Sequence, residues 1–166
     1  MKKILIATLI ACTLSSTVFC QNSVSTVYVE LASKGAVYTV NYDRIFCKGK
    51  KILYSGRIGF SVERDAVSFP LGLSAITGRG QHHAEFAFAA VPYIDHYKTF
   101  LRSNDLSDKY LFLIPSAGYR FQKPEGGFFF RAYAAPFLFL DPPSNDFWNM
   151  DPRLYGMVAA ALGFSF

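Results

Sequence analysis

The feature that most restricts this chain is an alternation of side-chain character with a period of two. It recurs in stretches punctuated too often by turn residues to be helices. Over 52–62, Ile52, Tyr54, Gly56, Ile58, Phe60 and Val62 oppose Leu53, Ser55, Arg57, Gly59 and Ser61. Over 110–122, Leu111, Leu113, Pro115, Ala117, Tyr119 and Phe121 share one face, and Phe112, Ile114, Ser116, Gly118, Arg120 and Gln122 the other. In the last stretch Leu154, Val158, Ala160, Leu162, Phe164 and Phe166 oppose Tyr155, Ala159, Gly163 and Ser165. Successive strand side chains point to opposite sides, so one face is apolar or aromatic and the other small, polar or singly charged. Strands are predicted near 26–33, 36–46, 52–62, 67–77, 82–94, 110–122, 127–140 and 154–166, separated by Gly, Pro, Asn and Asp clusters. Their lengths bracket the ~9–11 residues that a tilted strand needs to cross a bilayer, the first being marginal. No stretch after the leader approaches ~18 uninterrupted apolar residues, which excludes a membrane-spanning helix.

Alternation alone fits a soluble sandwich, a lipocalin-like barrel or a membrane barrel, and charge decides among them. The chain is 51% hydrophobic and only 17% charged, where about 25% is usual; so little charge also argues against disorder. The six strands from 52 onward hold four charged residues, Arg57, Glu85, Arg120 and Arg131. A soluble barrel must wet one whole face and would carry several times that number. Lipid is the better solvent for the apolar face. Connection lengths agree. The turns at 47–51, 78–81 and 123–126 fall on one side and the long connections 95–109 and 141–153 on the other, the asymmetry of outer-membrane barrels. The expected fold is all-β: an eight-stranded antiparallel up-and-down transmembrane β-barrel with both ends on the short-turn side.

The first twenty residues read as a leader. Lys2 and Lys3 precede the apolar run Ile4 to Cys12, and Val18 and Cys20 stand at −3 and −1 before Gln21, the pattern of a cleaved secretory signal peptide. A lipoprotein reading of Cys20 asks for a small residue before the cysteine, where this chain has Phe19. The barrel domain is then 21–166. Cleavage removes Cys12 and Cys20 and leaves Cys47, so no intramolecular disulfide framework is possible. Losing Lys2 and Lys3 lowers the formal charge from +5 to +3, too small an excess to argue for nucleic acid.

A signal peptide, an all-β body and a last strand ending Leu162-Gly163-Phe164-Ser165-Phe166 resemble the small Gram-negative outer-membrane β-barrel family. The terminal Phe166, with Leu162 and Phe164 before it, resembles the C-terminal signal read by the barrel-assembly machinery. That motif commonly has Gly where this chain has Ala161. The stretch Tyr38-Thr39-Val40-Asn41-Tyr42-Asp43-Arg44 and the runs Gly118-Tyr119-Arg120-Phe121 and Gly127-Phe128-Phe129-Phe130-Arg131 resemble uncharacterised barrels of this kind. The resemblance covers essentially the whole chain after the leader. It implies an outer-membrane location among outer-membrane lipids and passage through the assembly machinery, and no specific activity.

By parity Glu30, Asp43, Arg57, Glu85, Arg120 and Arg131 all point into the lumen. Buried charges are retained when paired, and an eight-stranded barrel is just wide enough for side chains to fill. Three acids and three bases therefore read as an internal plug, with Tyr28, Asn41, Tyr133 and Gln122 assisting; the rival reading is an ion path or proton relay. Arg44 falls on the outward face near a turn, where its stem can snorkel to headgroups. Some small outer-membrane barrels modify lipid A or phospholipid with a His and a Ser or Asp partner, so His82, His83, and His96 with Asp95 and Ser103 are the candidates for such chemistry. His82 and His83 adjoin the turn Gly78-Arg79-Gly80-Gln81, which suits capping a strand at the interface, and His96 lies in an external loop. No helix follows Gly78-Arg79-Gly80 to make a phosphate loop, and one Cys with three scattered His does not make a zinc set. No catalytic residue, cofactor or metal is expected.

The loops complete the reading. Tyr97, Lys98, Phe100, Leu101, Arg102, Asp105 and Asp108 in 95–109, and Asp141, Asp146, Phe147, Trp148, Met150 and Asp151 in 141–153, could anchor a surface ligand. For Phe147 and Trp148 an interfacial aromatic girdle is the favoured role. The expected function is a non-enzymatic outer-membrane barrel serving envelope integrity or surface interaction. The alternatives are a lipid-modifying barrel enzyme and a soluble periplasmic lipocalin-like binder.

Overall fold

A computed structural model describes residues 24–31, 37–78, 80–97, 108–144 and 152–166. The stretch 1–20 expected to be a signal peptide, Ser103, Phe147, Trp148, Met150 and most of both long loops lie outside the described residues. The strands are β1 (Ser25–Leu31), β2 (Tyr38–Lys48), β3 (Ile52–Val62), β4 (Ala66–Ser68), β5 (Leu71–Thr77), β6 (His82–Asp95), β7 (Asp108–Gln122), β8 (Gly127–Ser144) and β9 (Arg153–Ser165). Every pairing is antiparallel, and β1 pairs with β9 to close the ring. Two backbone bonds lock the seam: Ser25 N–H donates to Phe166 O at 2.9 Å, and Phe166 N–H to Ser25 O at 2.8 Å.

Nine strands form eight staves. The single strand expected at 67–77 is broken into β4 and β5, yet Ser61↔Ser68 and Ile58↔Leu71 keep one register against β3. The same holds against β6, with Ser68↔Tyr93 and Leu71↔Ala90. The break falls at Phe69-Pro70 because proline has no N–H to give the ladder. The stave is nevertheless held there, by Gly59 N–H donating to Pro70 O at 2.7 Å and Phe69 N–H to Pro92 O at 3.1 Å.

Element ends differ from expectation as well. The second strand runs to Lys48 through a bulge between Ile45 and Cys47, so the turn expected at 47–51 shrinks to 49–51. The outer connections shrink too, since β6 reaches Asp95, β7 starts at Asp108 and β8 extends to Ser144. Among the described residues no helix is long and apolar enough to cross a membrane, which says nothing about strands.

The pleat sorts side chains into two populations. Outward positions carry large apolar groups such as Val29, Ile58, Phe60, Leu73, Phe86, Phe88, Leu162 and Phe164, all exposed. Inward positions carry almost everything that is buried. Close approach of the wall to the lumen rests on two glycines. Gly163 lies opposite Tyr28 and Gly118 opposite Tyr133. A Cβ on either would come within 2.2–2.3 Å of a neighbouring carbonyl oxygen, so only glycine lets these tyrosines sit flat against the next strand.

Candidate functional site: the charged lumen

The barrel interior is built in three levels. In the middle, Glu30 on β1, Asp43 on β2, Arg57 on β3, Glu85 on β6, Arg120 on β7 and Arg131 on β8 are each at most 5% exposed. They form one chain of alternating sign. Arg57 Nη1 meets Glu30 Oε2 at 3.1 Å, and Arg131 Nη1 reaches the same oxygen at 3.5 Å. Arg131 Nε faces Glu85 Oε2 at 3.1 Å, and Glu85 Oε1 faces Arg120 Nη1 at 3.6 Å. Neither Glu85 contact meets hydrogen-bond geometry, that to Arg120 being too long, so attraction there is ionic rather than directional. Arg120 Nη2 ends the chain on Asp43 Oδ1 at 2.8 Å.

Register explains why Glu85 holds the central place. Arg120 and Arg131 are direct cross-strand neighbours, and like charges so placed repel. The Glu85 carboxylate touches both guanidinium groups and offsets that repulsion.

Polar neighbours complete the shells. Tyr133 Oη donates to Glu30 Oε1 at 2.9 Å, Ser55 Oγ to Asp43 Oδ2 at 2.9 Å, and Arg57 Nη1 to Tyr28 Oη at 3.3 Å. Arg120 Nε donates to Gln122 Oε1 at 2.8 Å, and Gln122 Nε2 donates to Thr26 Oγ1 at 2.8 Å and Ser165 Oγ at 3.0 Å. The guanidinium of Arg120 stacks over Phe129 at 5.0 Å and that of Arg131 over Tyr133 at 4.5 Å, which suits a desolvated cation. Tyr28, Tyr133 and Gln122 thus touch the charges. Asn41 stands apart, with its amide turned to Thr39 Oγ1 at 2.8 Å.

Above this level, toward the long loops, the lumen wall is apolar. Ala89, Val91, Phe112, Ile114, Tyr133, Ala135 and Ala159 form one buried cluster with Tyr93, Tyr110 and Met157 against it. Tyr93 and Tyr110 stack at 5.5 Å with Phe112 beside them. Sequence reasoning passed over this wall, although Val91, Phe112 and Ile114 stand at inward parity. Below the charges, toward the short turns, Val24, Ile45 and Ile76 form a smaller cluster with Leu53. A cavity of about 300 Å³ opens there, lined by Val24, Ile45, Lys48, Gly49, Leu53, Gly80, His83, Gln122, Lys123 and Pro124.

The histidines separate. His82 is exposed, with Nδ1 2.5 Å from Tyr119 Oη and its ring beside Phe121. His83 is buried, with Nδ1 2.6 Å from Thr77 O and Nε2 3.4 Å from Gln122 O. His96, just past β6, has φ 51° and places Nδ1 3.0 Å from Asp65 Oδ2. The hydrogen bond to Asp65, aided by the Asp95 charge, raises the His96 pKa above its ordinary value of 6.5. Asp95 contacts His96 through its backbone N–H at 2.9 Å. Among the described residues no group of three or more His, Cys, Asp or Glu is arranged to hold a metal ion. Arg44 is on the exposed outward face and Cys47 is half-buried at the bulge.

A closed eight-stave antiparallel barrel with a polar interior defines the class of fold. The N-terminal β-barrel domain of Pseudomonas aeruginosa OprF superposes on it with a TM-score of 0.54 over 88% of this chain and 98% of that one, at 14% identity. That likeness establishes the barrel fold. No family model matches the sequence, and no curated protein matches it.

Proposed function

We propose that the chain is an integral outer-membrane barrel of structural type, its lumen stopped by the alternating charges, with envelope integrity or surface interaction as its role. The observation that carries this reading is the inverted distribution of polarity. Six acidic and basic side chains are packed inside, while Ile58, Leu73 and Val158 stand 59%, 65% and 72% exposed on the outside. Water on such a wall costs roughly 25 cal/mol for each Å² of apolar surface left exposed, and monomeric soluble proteins rarely leave a continuous patch beyond a few hundred Å². Lipid removes that cost. The OprF barrel domain gives the closed barrel a precedent, and the contacts of His83 with backbone carbonyls favour a structural part for that residue over a catalytic one. Leu162, Phe164 and Phe166 lie exposed on the outward face of the closing strand, which supports their reading as an assembly signal.

Membrane fractionation with heat-modifiable gel mobility tests the location, and planar-bilayer recording tests the lumen. The expected result is a heat-modifiable protein in the outer-membrane fraction with little steady conductance. Recovery from the periplasm without detergent overturns the location, and steady, selective conductance overturns the plug. Phe166→Lys separates assembly from architecture, because it keeps both backbone bonds to Ser25. The folded fraction in the outer membrane is expected to fall, while refolding of the purified variant into vesicles persists.

A further inference from the structure

The cavity below the charge network has walls and a rim of opposite character. Its walls are Val24, Ile45 and Leu53, together with the ring of His83. Its roof is Gln122, whose side-chain amide already donates to Thr26 Oγ1 and Ser165 Oγ behind it. Both His83 nitrogens face backbone oxygens. The Gln122 amide and the His83 N–H therefore already have partners within the protein. At about 300 Å³ the space equals that of roughly ten waters, and water needs two to four polar partners to settle in such a site. These walls favour a hydrocarbon chain instead.

The rim supplies the other half of a recognition site. Lys48 and Lys123 line the opening, Lys50 and Lys51 occupy the adjoining turn, and Glu125 is the acid in the 123–126 turn. Positive charge gathered at the mouth of an apolar pocket complements an amphiphile whose tail points inward and whose anionic head stays at the rim. We propose that this cavity is a binding site for a single-chain anionic amphiphile of medium length, a fatty-acid carboxylate, with its tail against Ile45 and Leu53 and its head between Lys48 and Lys123. The ion chain above closes the site, so the chain is held at the turn end rather than passed through the barrel.

The test uses the folded protein in phosphatidylcholine nanodiscs, with methyl NMR of Val24, Ile45 and Leu53 during titration with decanoate, decanol and decyltrimethylammonium. Saturable shifts of these methyls with decanoate are expected, at a Kd at least tenfold below that for the cationic amphiphile. Lys123→Glu, a turn substitution expected to keep heat-modifiable mobility, is expected to weaken decanoate at least fivefold. Leu53→Phe, which fills the pocket, is expected to abolish saturation. Should that variant fail to fold, the three-amphiphile series on the unaltered protein still decides. Equal responses to the three amphiphiles, shifts confined to outward methyls such as Ile58 and Leu73, or no effect of Lys123→Glu would overturn the proposal.

Discussion

The outward wall and the lumen are made by the same strands, alternate residues of one backbone, and they obey opposite rules. On the outward wall Val29, Ile58, Leu73, Phe86 and Leu162 need only be apolar. In the proposed membrane setting their neighbour is a fluid, so no individual partner matters. In the lumen each side chain needs a particular partner, because an ionised group out of water costs several kcal/mol unless paired. Tolerance on one face and intolerance on the other therefore follow from solvent rather than from position along the strand.

The sharpest way to break that contrast is at Glu85. Glu85→Gln leaves Arg120 and Arg131 side by side without the carboxylate between them. A stability loss of about 3–5 kcal/mol is expected, measured by denaturant unfolding of the barrel in vesicles. Adding Arg131→Met is expected to recover part of it. A loss below about 0.5 kcal/mol, the usual scale of an inconsequential surface change, would mean that water solvates the lumen charges. A smaller effect is expected at the wall itself. Gly163→Ala forces a methyl against Val27 O and the Tyr28 backbone, an overpacking worth about 1–3 kcal/mol, readable in the same unfolding assay. Gly156→Ala meets nothing within 4 Å and serves as the control.

The smallest effect belongs to the rim, where charges are wet and partners count for little. His96 is exposed beside Asp65, and its pKa is raised in the fold. A raised pKa means that the protonated pair holds the rim at low pH. That contribution is complete below about 6.5, the unfolded histidine value, and is lost as pH rises through the higher folded one. An NMR titration of the imidazole is expected to show this midpoint. Asp65→Asn is expected to bring it back toward the ordinary value, with barrel stability barely changed.

How much could be read beforehand follows the same division. The faces of the strands were legible, because parity depends only on counting by two. The pairing inside was not. Asp43 is the in-register neighbour of Arg57, yet its carboxylate bonds Arg120 across the lumen and Ser55 beside it. Which pairs meet is set by stave closure and side-chain reach, and alternation carries neither. The break at Pro70 was hidden for a related reason, since Val67, Phe69, Leu71 and Leu73 keep their alternation straight through it. The seventh stave ran past its expected end because Asp141 and Ser144 pair with Leu111 and Lys109 of β7, which overrides the turn signals of Asp141-Pro142-Pro143. The cavity had no signal at all. It is a volume left unfilled where several staves meet, and no local stretch of sequence encodes it.

The claim underlying all of this is that the two faces meet opposite solvents, and paired arginine substitutions test it most directly. Leu113 lies on the outward face and Ser116 on the inward face of β7, three residues apart. Folding titrations into lipid vesicles are expected to show Leu113→Arg losing about 2–4 kcal/mol, the cost of a cation near the bilayer midplane, a loss that shrinks when the same variant folds in a detergent micelle. Ser116→Arg acts by crowding a filled lumen, so its loss is expected to be the same in vesicle and micelle. A Leu113→Arg barrel as stable in lipid as the unaltered protein, with the lipid-dependent loss appearing at Ser116→Arg instead, would contradict the assignment of the faces.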